Sequence, residues 1–365
     1  MAGRQKQSDL ARSLAAESPE VAELRDALRR SQQELAIQKR RAQHFVHAVY
    51  SAARDAAMAM GRAPVVPRPV RDRRQKSEEV ALLHTTDWQV GKETKSYNSE
   101  VAHERIAVQM MDKVDQITEI ERSDHPVREA HCLLGGDMVE GITIFPGQAY
   151  QVDSTLFVQL FNAARIVEEV IRRLLANFDV VHAYEEYGNH GRIGRKGELP
   201  SRDNLDLMAY RIARGVLQKY IDDGRLVWHE TEDFYNIVKA GNYRAMLAHG
   251  DEIKSFGGNL PSFGIRRKTT SWAAGAINDF FGDVYLGHFH IADVIQLPNG
   301  WRAFITPSPE SDNDYAKEFV ASAGTPAQRL HYVDPAKGRV TSERILWLDA
   351  GLEVGAPSYP DEEVA

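Results

Sequence analysis

The sequence predicts an α/β domain built on a largely parallel sheet covered by helices, behind an N-terminal helical arm. Two patterns predict it. Five short motifs, Asp87-Trp88-Gln89, Gly135-Gly136-Asp137, Gly188-Asn189-His190, His249-Gly250-Asp251 and Gly287-His288-Phe289-His290, each follow an apolar, β-branched run that reads as a buried strand. Between the first three runs, apolar residues recur at three- and four-residue spacing, the mark of an amphipathic helix. Strand–helix alternation of this kind gives a parallel sheet with helical cover. Polar residues delivered at the carboxyl ends of such strands are how an α/β sheet builds a site.

The elements follow in order. Val80–Thr86 leads into Asp87, His131–Leu134 into Gly135, and Val180–Tyr184 precedes Gly188 by a few residues. Arg244–Ala248 leads into His249, and Val284–Leu286 into Gly287. The helical stretches carry Ile106, Met110, Val114, Ile117 and Ile120 in one case, and Ala164, Val167, Val170, Ile171 and Leu174 in the other. After His290 the chain reads mainly as strands: Ala292–Leu297, Trp301–Thr306, Arg329–Val333 and Arg344–Leu348. These are expected to complete a second sheet, giving a β-sandwich core flanked by helices.

Leaving Asp251 aside, the motifs hold two Asp, one Asn, one Gln and four His. That is enough oxygen and nitrogen donors for two metal ions, and it points to a two-metal phosphoesterase. Two cations about 3.5–4 Å apart polarise phosphoryl oxygens, generate hydroxide and steady the leaving oxygen. Glycine beside most of the donors lets the backbone turn sharply and approach a bound group.

Taken together, the ordered motifs resemble the signature of calcineurin-like metallophosphoesterases, most closely the branch of the SbcD-type DNA repair nucleases and their phage relatives. The resemblance spans about residues 80–310. It implies a four-layer fold, a two-sheet β-sandwich flanked by helices, and a ligand set by position. One metal would take Asp87, Gln89, Asp137 and His290; the other would share Asp137 and take Asn189, His249 and His288. His190 would not ligate but would act as the catalytic proton donor over the phosphate. The implied reaction is hydrolysis of a phosphodiester, DNA above all, by a metal-activated water without a covalent intermediate. Mn²⁺ is the first expectation for the metal, with Mg²⁺, Fe²⁺ or Zn²⁺ as alternatives, because family members usually carry His where this chain has Gln89 and an amide oxygen is a harder ligand. Gly191 is a second departure, where the nucleases often carry Asp or Glu. The repair nucleases also carry a large C-terminal cap for which this chain lacks room, and the resemblance leaves open whether an ATPase partner is needed. A phosphomonoesterase or small-nucleotide phosphodiesterase is the rival within the enzyme class. A catalytically weak binding or scaffold protein is the rival outside it.

Other residues round out the expectation. Arg192, Arg195 and Lys196 follow directly on the third motif and could hold flanking phosphates of a polynucleotide. Arg266, Arg267 and Lys268 form a second basic cluster that reads as a solvated face. Glu140, Asp251 and Glu252 are candidates to orient ligands from behind, and Pro307–Tyr315 is a candidate lip over the site.

Residues 1–76 hold 16 Lys and Arg against 8 Asp and Glu, leaving 29 against 44 in the remainder. With a net charge of −7, the chain as a whole would not coat nucleic acid, so binding has to come from the basic arm or local patches. In that arm Val21, Leu24, Leu28, Leu35, Ala42, Phe45, Val49 and Ala52 share one heptad frame. This suggests a coiled coil and a homo-oligomer; the alternative is an amphipathic helix folded on the catalytic domain. The domain plan is therefore 1–60 helical arm, 61–79 Pro- and Arg-rich linker, 80–350 catalytic domain, and 351–365 flexible acidic tail. The single cysteine, Cys132, lies in an apolar strand and fits a reducing, cytoplasmic setting. No apolar run approaches the ~18 residues of a membrane helix, so no membrane partner is expected.

Overall fold

The computed structural model describes residues 23–37, 40, 44, 51, 65–75, 77–145, 147–194, 196–254, 260–311 and 325–348. The chain divides into two compact units, Met1–Ala52 and Ala53–Ala365. In the first, residues 23–37 are helical, with Leu24, Leu28 and Leu35 exposed. The other seam residues, Val21, Ala42, Phe45, Val49 and Ala52, lie outside the described residues, as does the acidic tail.

The second unit is a pair of mixed sheets. Its strands are β1 (Glu79–Thr85), β2 (Val127–Gly135), β3 (Val180–Glu186), β4 (Leu226–His229), β5 (Asn236–Ala240), β6 (Tyr243–Ala248), β7 (Asp283–Leu286), β8 (Asp293–Gln296), β9 (Arg302–Ile305), β10 (Ala327–Asp334) and β11 (Arg339–Trp347). One sheet runs β11-β10-β1-β2-β3-β4, the other β5-β6-β7-β9-β8. β1 through β4 are parallel, as are β6, β7 and β9; the outer strands β5, β8, β10 and β11 join antiparallel.

The period-two alternation of side chains makes the layers. Val80, Leu82, Leu133 and Tyr184 point from the first sheet into a core shared with Val238, Tyr243, Ala245, Leu247, Tyr285 and Phe304 of the second. Helix α1 is a continuous run of Ser99–His103, a π-helical stretch Glu104–Met110 and Met111–Arg122. With α2 (Leu156–Asn177) and α3 (Leu205–Val216), it covers the outer face of the first sheet. α4 (Ser262–Ser271) buries Ile265 against Met246, Leu286 and Ile295 of the second. The result is a β-sandwich between helical layers, as the sequence predicted.

Two expectations need correction. The C-terminal strands do not all join the second sheet: β8 and β9 do, whereas β10 and β11 extend the first. All seven residues of β1 are buried, so β1 cannot stand as an open edge, and β10 covers it with Val80 opposite Val333. Helix α1 buries Ile106, Met110 and Val114 as expected, but continues that face with Thr118, whose hydroxyl bonds the Tyr332 hydroxyl at 2.9 Å; Ile120 is exposed. Parts of the described linker also pack on the domain, while Val65, Arg68, Val70, Arg71 and Arg73 stay exposed. The Tyr220 hydroxyl accepts from Val66 N at 2.9 Å, Arg128 donates to the carbonyls of Asp72 and Arg74, and Arg74 is engaged by Asp72 and the Arg122 carbonyl.

Candidate functional site

The five motifs converge. Asp87, Asp137 and Asn189 lie just beyond the carboxyl ends of β1, β2 and β3, and His249 and His288 just beyond β6 and β7. Backbone bonds lace the loops together: Asp87 N to Gly136 O at 2.9 Å, Gln89 N to Asp137 O at 2.9 Å, and Gly287 N to His249 O at 3.0 Å.

The backbone at this place is strained. Among the described residues, the non-glycine positions with positive φ are Asp87 (55°), Gln89 (46°), Asp137 (52°), His288 (66°) and His290 (55°). Each such conformation costs on the order of 1–3 kcal/mol and persists only where the surroundings enforce it, which is typical of functional sites. All five belong to the predicted ligand set. Close approach adds a second constraint: a Cβ on Gly188 would collide with the Asp137 carboxylate, and one on Gly287 with that of Asp87.

The donor atoms form two groups. In the first, ligand atoms of Asp137, His249 and His288 lie within 4.8 Å of one another. His249 Nδ1 is fixed by the Gly135 carbonyl at 2.8 Å, which leaves Nε2 3.0 Å from Asp137 Oδ2 without hydrogen-bond geometry. Asn189 Oδ1 is likewise buried without a hydrogen-bond partner. An unpartnered amide oxygen and an imidazole nitrogen that faces only a fully buried carboxylate fit a divalent cation, and nitrogen and oxygen are suitable ligands for one. Burial opposes charge on both partners, yet their mutual attraction prevails. The Asp137 carboxyl is held below its usual range and the His249 imidazole well above.

In the second group, Asp87 accepts from Thr86 Oγ1 at 2.8 Å and from His288 N at 3.0 Å, and its Oδ1 lies 3.1 Å from His290 Nε2. His290 Nδ1 contacts Glu310 Oε1 at 2.7 Å. Burial lowers the His290 pKa, but Glu310 and Asp87 carry it up to about 10. The Gln89 amide oxygen accepts from Lys92 Nζ at 2.9 Å, and its nitrogen stands 3.4 Å from both His190 Nε2 and His290 Nε2.

His190 bridges the groups. Its backbone N donates to Asp137 Oδ1 at 2.6 Å, and its Nδ1 faces Glu140 O at 2.9 Å and Glu140 Oε2 at 3.2 Å. Desolvation works against its charge, but Glu140 and Asp137 outweigh it and raise the imidazole to about 9. Glu140 is itself held by Gln148 Nε2 at 2.8 Å. Glu140 therefore sits behind His190, the expected proton donor, rather than behind an expected metal ligand.

The other expected residues are less central. Arg192 Nη2 reaches Asn189 O at 3.4 Å, keeping the guanidinium beside the third motif. Lys196 Nζ lies 3.3 Å from Asp251 Oδ2, so both are engaged with each other at the surface. Arg195 and residues 312–315 of the expected lip lie outside the described residues. Glu252 is largely buried and pushed up to about 7 by that burial and by Asp251. A separate cluster of Glu129, His131 and His182 shares one end of β2 and β3. Its two imidazoles stack with ring centroids 4.5 Å apart, and His131 Nε2 lies 2.6 Å from Glu129 Oε1.

Sequence reasoning missed three site residues. Lys92 and Glu310 are described above. The third is Asp206 in the first turn of α3, whose carboxylate accepts from the backbone N–H groups of Asp137 at 2.9 Å, Met138 at 3.0 Å, Val139 at 3.3 Å and Gly188 at 2.9 Å. It also explains the Gly191 departure. A Cβ at Gly191 would collide with the Asn204 amide and press on the Asp206 carboxylate. Gly191→Asp is therefore expected to displace α3 from the site loops and to lower the unfolding midpoint in urea, by roughly 1–3 kcal/mol as for other overpacked positions. An unchanged midpoint would show that the space is available.

No family model matches the chain, and no curated protein matches it. Solved structures with partial likeness include a dimetal phosphatase from Danio rerio, at 14% identity and TM-score 0.34, covering 74% of this chain and 99% of that one. Another is a predicted phosphoesterase from Streptococcus pneumoniae, at 9% identity and TM-score 0.30, covering 73% and 97%. A third is the 5'-nucleotidase from Candida albicans, at 11% identity and TM-score 0.31, covering 75% of this chain and 53% of that one. At TM-scores this low the likeness carries no functional weight, which rests on the side chains. Among the described residues no helix is long and apolar enough to cross a membrane.

Proposed function

We propose that the protein is a metal-dependent phosphodiester hydrolase acting on DNA. The observation that carries this reading is the strained backbone shared by Asp87, Gln89, Asp137, His288 and His290, with ligand atoms of Asp137, His249 and His288 within 4.8 Å of one another and Asn189 Oδ1 buried without a hydrogen-bond partner. Asp137, Asn189, His249 and His288 would hold one divalent cation; Asp87, Gln89, His290 and the shared Asp137 would hold a second, with Mn²⁺ the expected metal. The cations would supply Lewis-acid stabilisation of the phosphoryl oxygens and an activated water. His190, fixed through Nδ1 by Glu140, has Nε2 on the side of the proposed ligand Gln89, 3.4 Å from its amide nitrogen, and would give a proton to the leaving oxygen. Arg192, held beside the third motif by Asn189 O, would contact a flanking phosphate.

The exposed Leu24, Leu28 and Leu35 support self-association through the N-terminal helix. One observation favours a smaller substrate: Arg74 and Lys196, cations that could otherwise meet phosphates, are paired with Asp72 and Asp251.

The test is Mn²⁺-dependent cleavage of an end-labelled single-stranded oligonucleotide, run beside bis-p-nitrophenyl phosphate and p-nitrophenyl phosphate. Oligonucleotide and diester cleavage is the expected result. Cleavage of the monoester alone would move the substrate to phosphomonoesters. Bound metal without turnover of any of the three would leave a binding protein.

A further inference from the structure

The two donor groups are not equivalent, and Lys92 is the reason. Its side chain is buried, with 6% of the residue exposed. The ammonium donates to Gln89 Oε1 at 2.9 Å and lies 2.5 Å from Glu310 Oε2. An ammonium can only donate, so this contact fixes the Gln89 amide with its oxygen toward Lys92 and its NH₂ toward His190 and His290. That oxygen is the atom Gln89 would have to give a cation. Lys92 therefore engages the best ligand atom of Gln89 and also sets a positive charge beside the position, where like charges repel strongly away from bulk water. Through Glu310 it is tied to His290, whose Nδ1 takes the other carboxylate oxygen at 2.7 Å. The other group shows the opposite condition: Asn189 Oδ1 is buried without a hydrogen-bond partner, and His249 Nε2 faces only the Asp137 carboxylate, at 3.0 Å.

We propose that the site is asymmetric: Asp137, Asn189, His249 and His288 hold one divalent cation tightly, while the buried Lys92 ammonium supplies the positive charge on the Gln89–Asp87–His290 side and keeps a second cation weak there. This rests on the metal-dependent reading above. It assigns Lys92 the work of a partial second cation and makes Gln89 its anchor. Phosphate held between a tight cation and a fixed ammonium would feel charge from both sides even when the second position is empty.

The experiment is Mn²⁺ binding to the full chain by equilibrium dialysis with elemental analysis, together with the paramagnetic resonance spectrum of the bound ion. Wild type is expected to load one ion before the second, with the spectrum of an isolated ion. Lys92→Met is expected to tighten the second ion by ~10-fold or more, the scale on which residues behind metal ligands move affinity. Because Lys92→Met leaves Glu310 without that cation, Lys92→Met/Glu310→Gln is made beside it. Gln89→His keeps Lys92 and adds an imidazole, and it should also tighten the second ion. Two ions loading together in wild type, with an exchange-coupled spectrum, would overturn the asymmetry and leave the metal-dependent reading standing. A second affinity unmoved in all folded variants would overturn it as well. If wild type binds no ion, the proposal and the reading beneath it both fall.

Discussion

Asp137→Asn is expected to abolish Mn²⁺-dependent hydrolysis, with a loss of ~10³-fold or more, because several kcal/mol of charge stabilisation is at stake at tenfold per ~1.4 kcal/mol. The substitution is nearly isosteric and keeps an oxygen to accept from His190 N, so the loop has no steric reason to move. What it removes is the negative charge that the proposed assignment places between the two cation positions, against His249 Nε2 at 3.0 Å. Two readouts separate this from misfolding. Wild type should gain thermal stability when Mn²⁺ is added, by about 2.7 kcal/mol at a hundredfold excess over the dissociation constant. The variant should lose most of that gain while melting cooperatively without metal. A variant that still cleaves within tenfold of wild type would take Asp137 out of the centre.

The sequence made the site residues visible because each sits where an apolar strand stops. A buried run ended by Asp, Asn or His has few structural explanations, and β1, β2, β6 and β7 all end this way within a residue or two of the expected boundary. Sheet membership of the last strands was not legible, since Ala292–Leu297 and Arg329–Val333 read alike as short strands. Which edge they cover depends on what β1 leaves open, a long-range condition. The role of Gln89 was half legible. Its place in the first motif marked it, but the direction of its amide depends on Lys92 and, through Glu310, on a residue 221 positions away whose loop carried no metal-ligand spacing. Lys92 stands only three residues past Gln89, and a lysine in a turn reads as solvated until burial shows otherwise. Asp206 was the least visible. Asn204-Leu205-Asp206 reads as an ordinary helix start, and Asn204 does cap α3 by accepting from Asp206 N at 2.8 Å. Nothing local says that the carboxylate of a first-turn Asp turns away from its own helix to serve two distant loops.

That arrangement makes Asp206→Ala the substitution expected to cost most in stability. Four backbone N–H groups, from Asp137, Met138, Val139 and Gly188, converge on one fully buried carboxylate. The group bears opposed influences. Burial, then the Asp137 charge, push its pKa up to about 6, while the Gly188 and Val139 N–H groups pull the other way. Removing it leaves the donors without an acceptor in a place water does not reach. Orphaned buried donors cost ~1–3 kcal/mol each, but they relax together, so a total of roughly 3–5 kcal/mol in urea unfolding is expected, near the top of the range for single substitutions. Function should suffer separately from stability. Asp206 holds the second and third motifs at their mutual distance, and misplacing such groups by ~1 Å costs about 10²-fold in rate. Asp206→Asn distinguishes the two effects. It keeps one oxygen for part of the N–H set but turns an NH₂ toward the rest, so it should recover part of the stability while leaving metal affinity weakened. If Asp206→Ala unfolds within 1 kcal/mol of wild type, about the mean cost of an arbitrary substitution, the clamp is not what holds the loops, and the strained φ values at Asp87, Gln89 and Asp137 need another support.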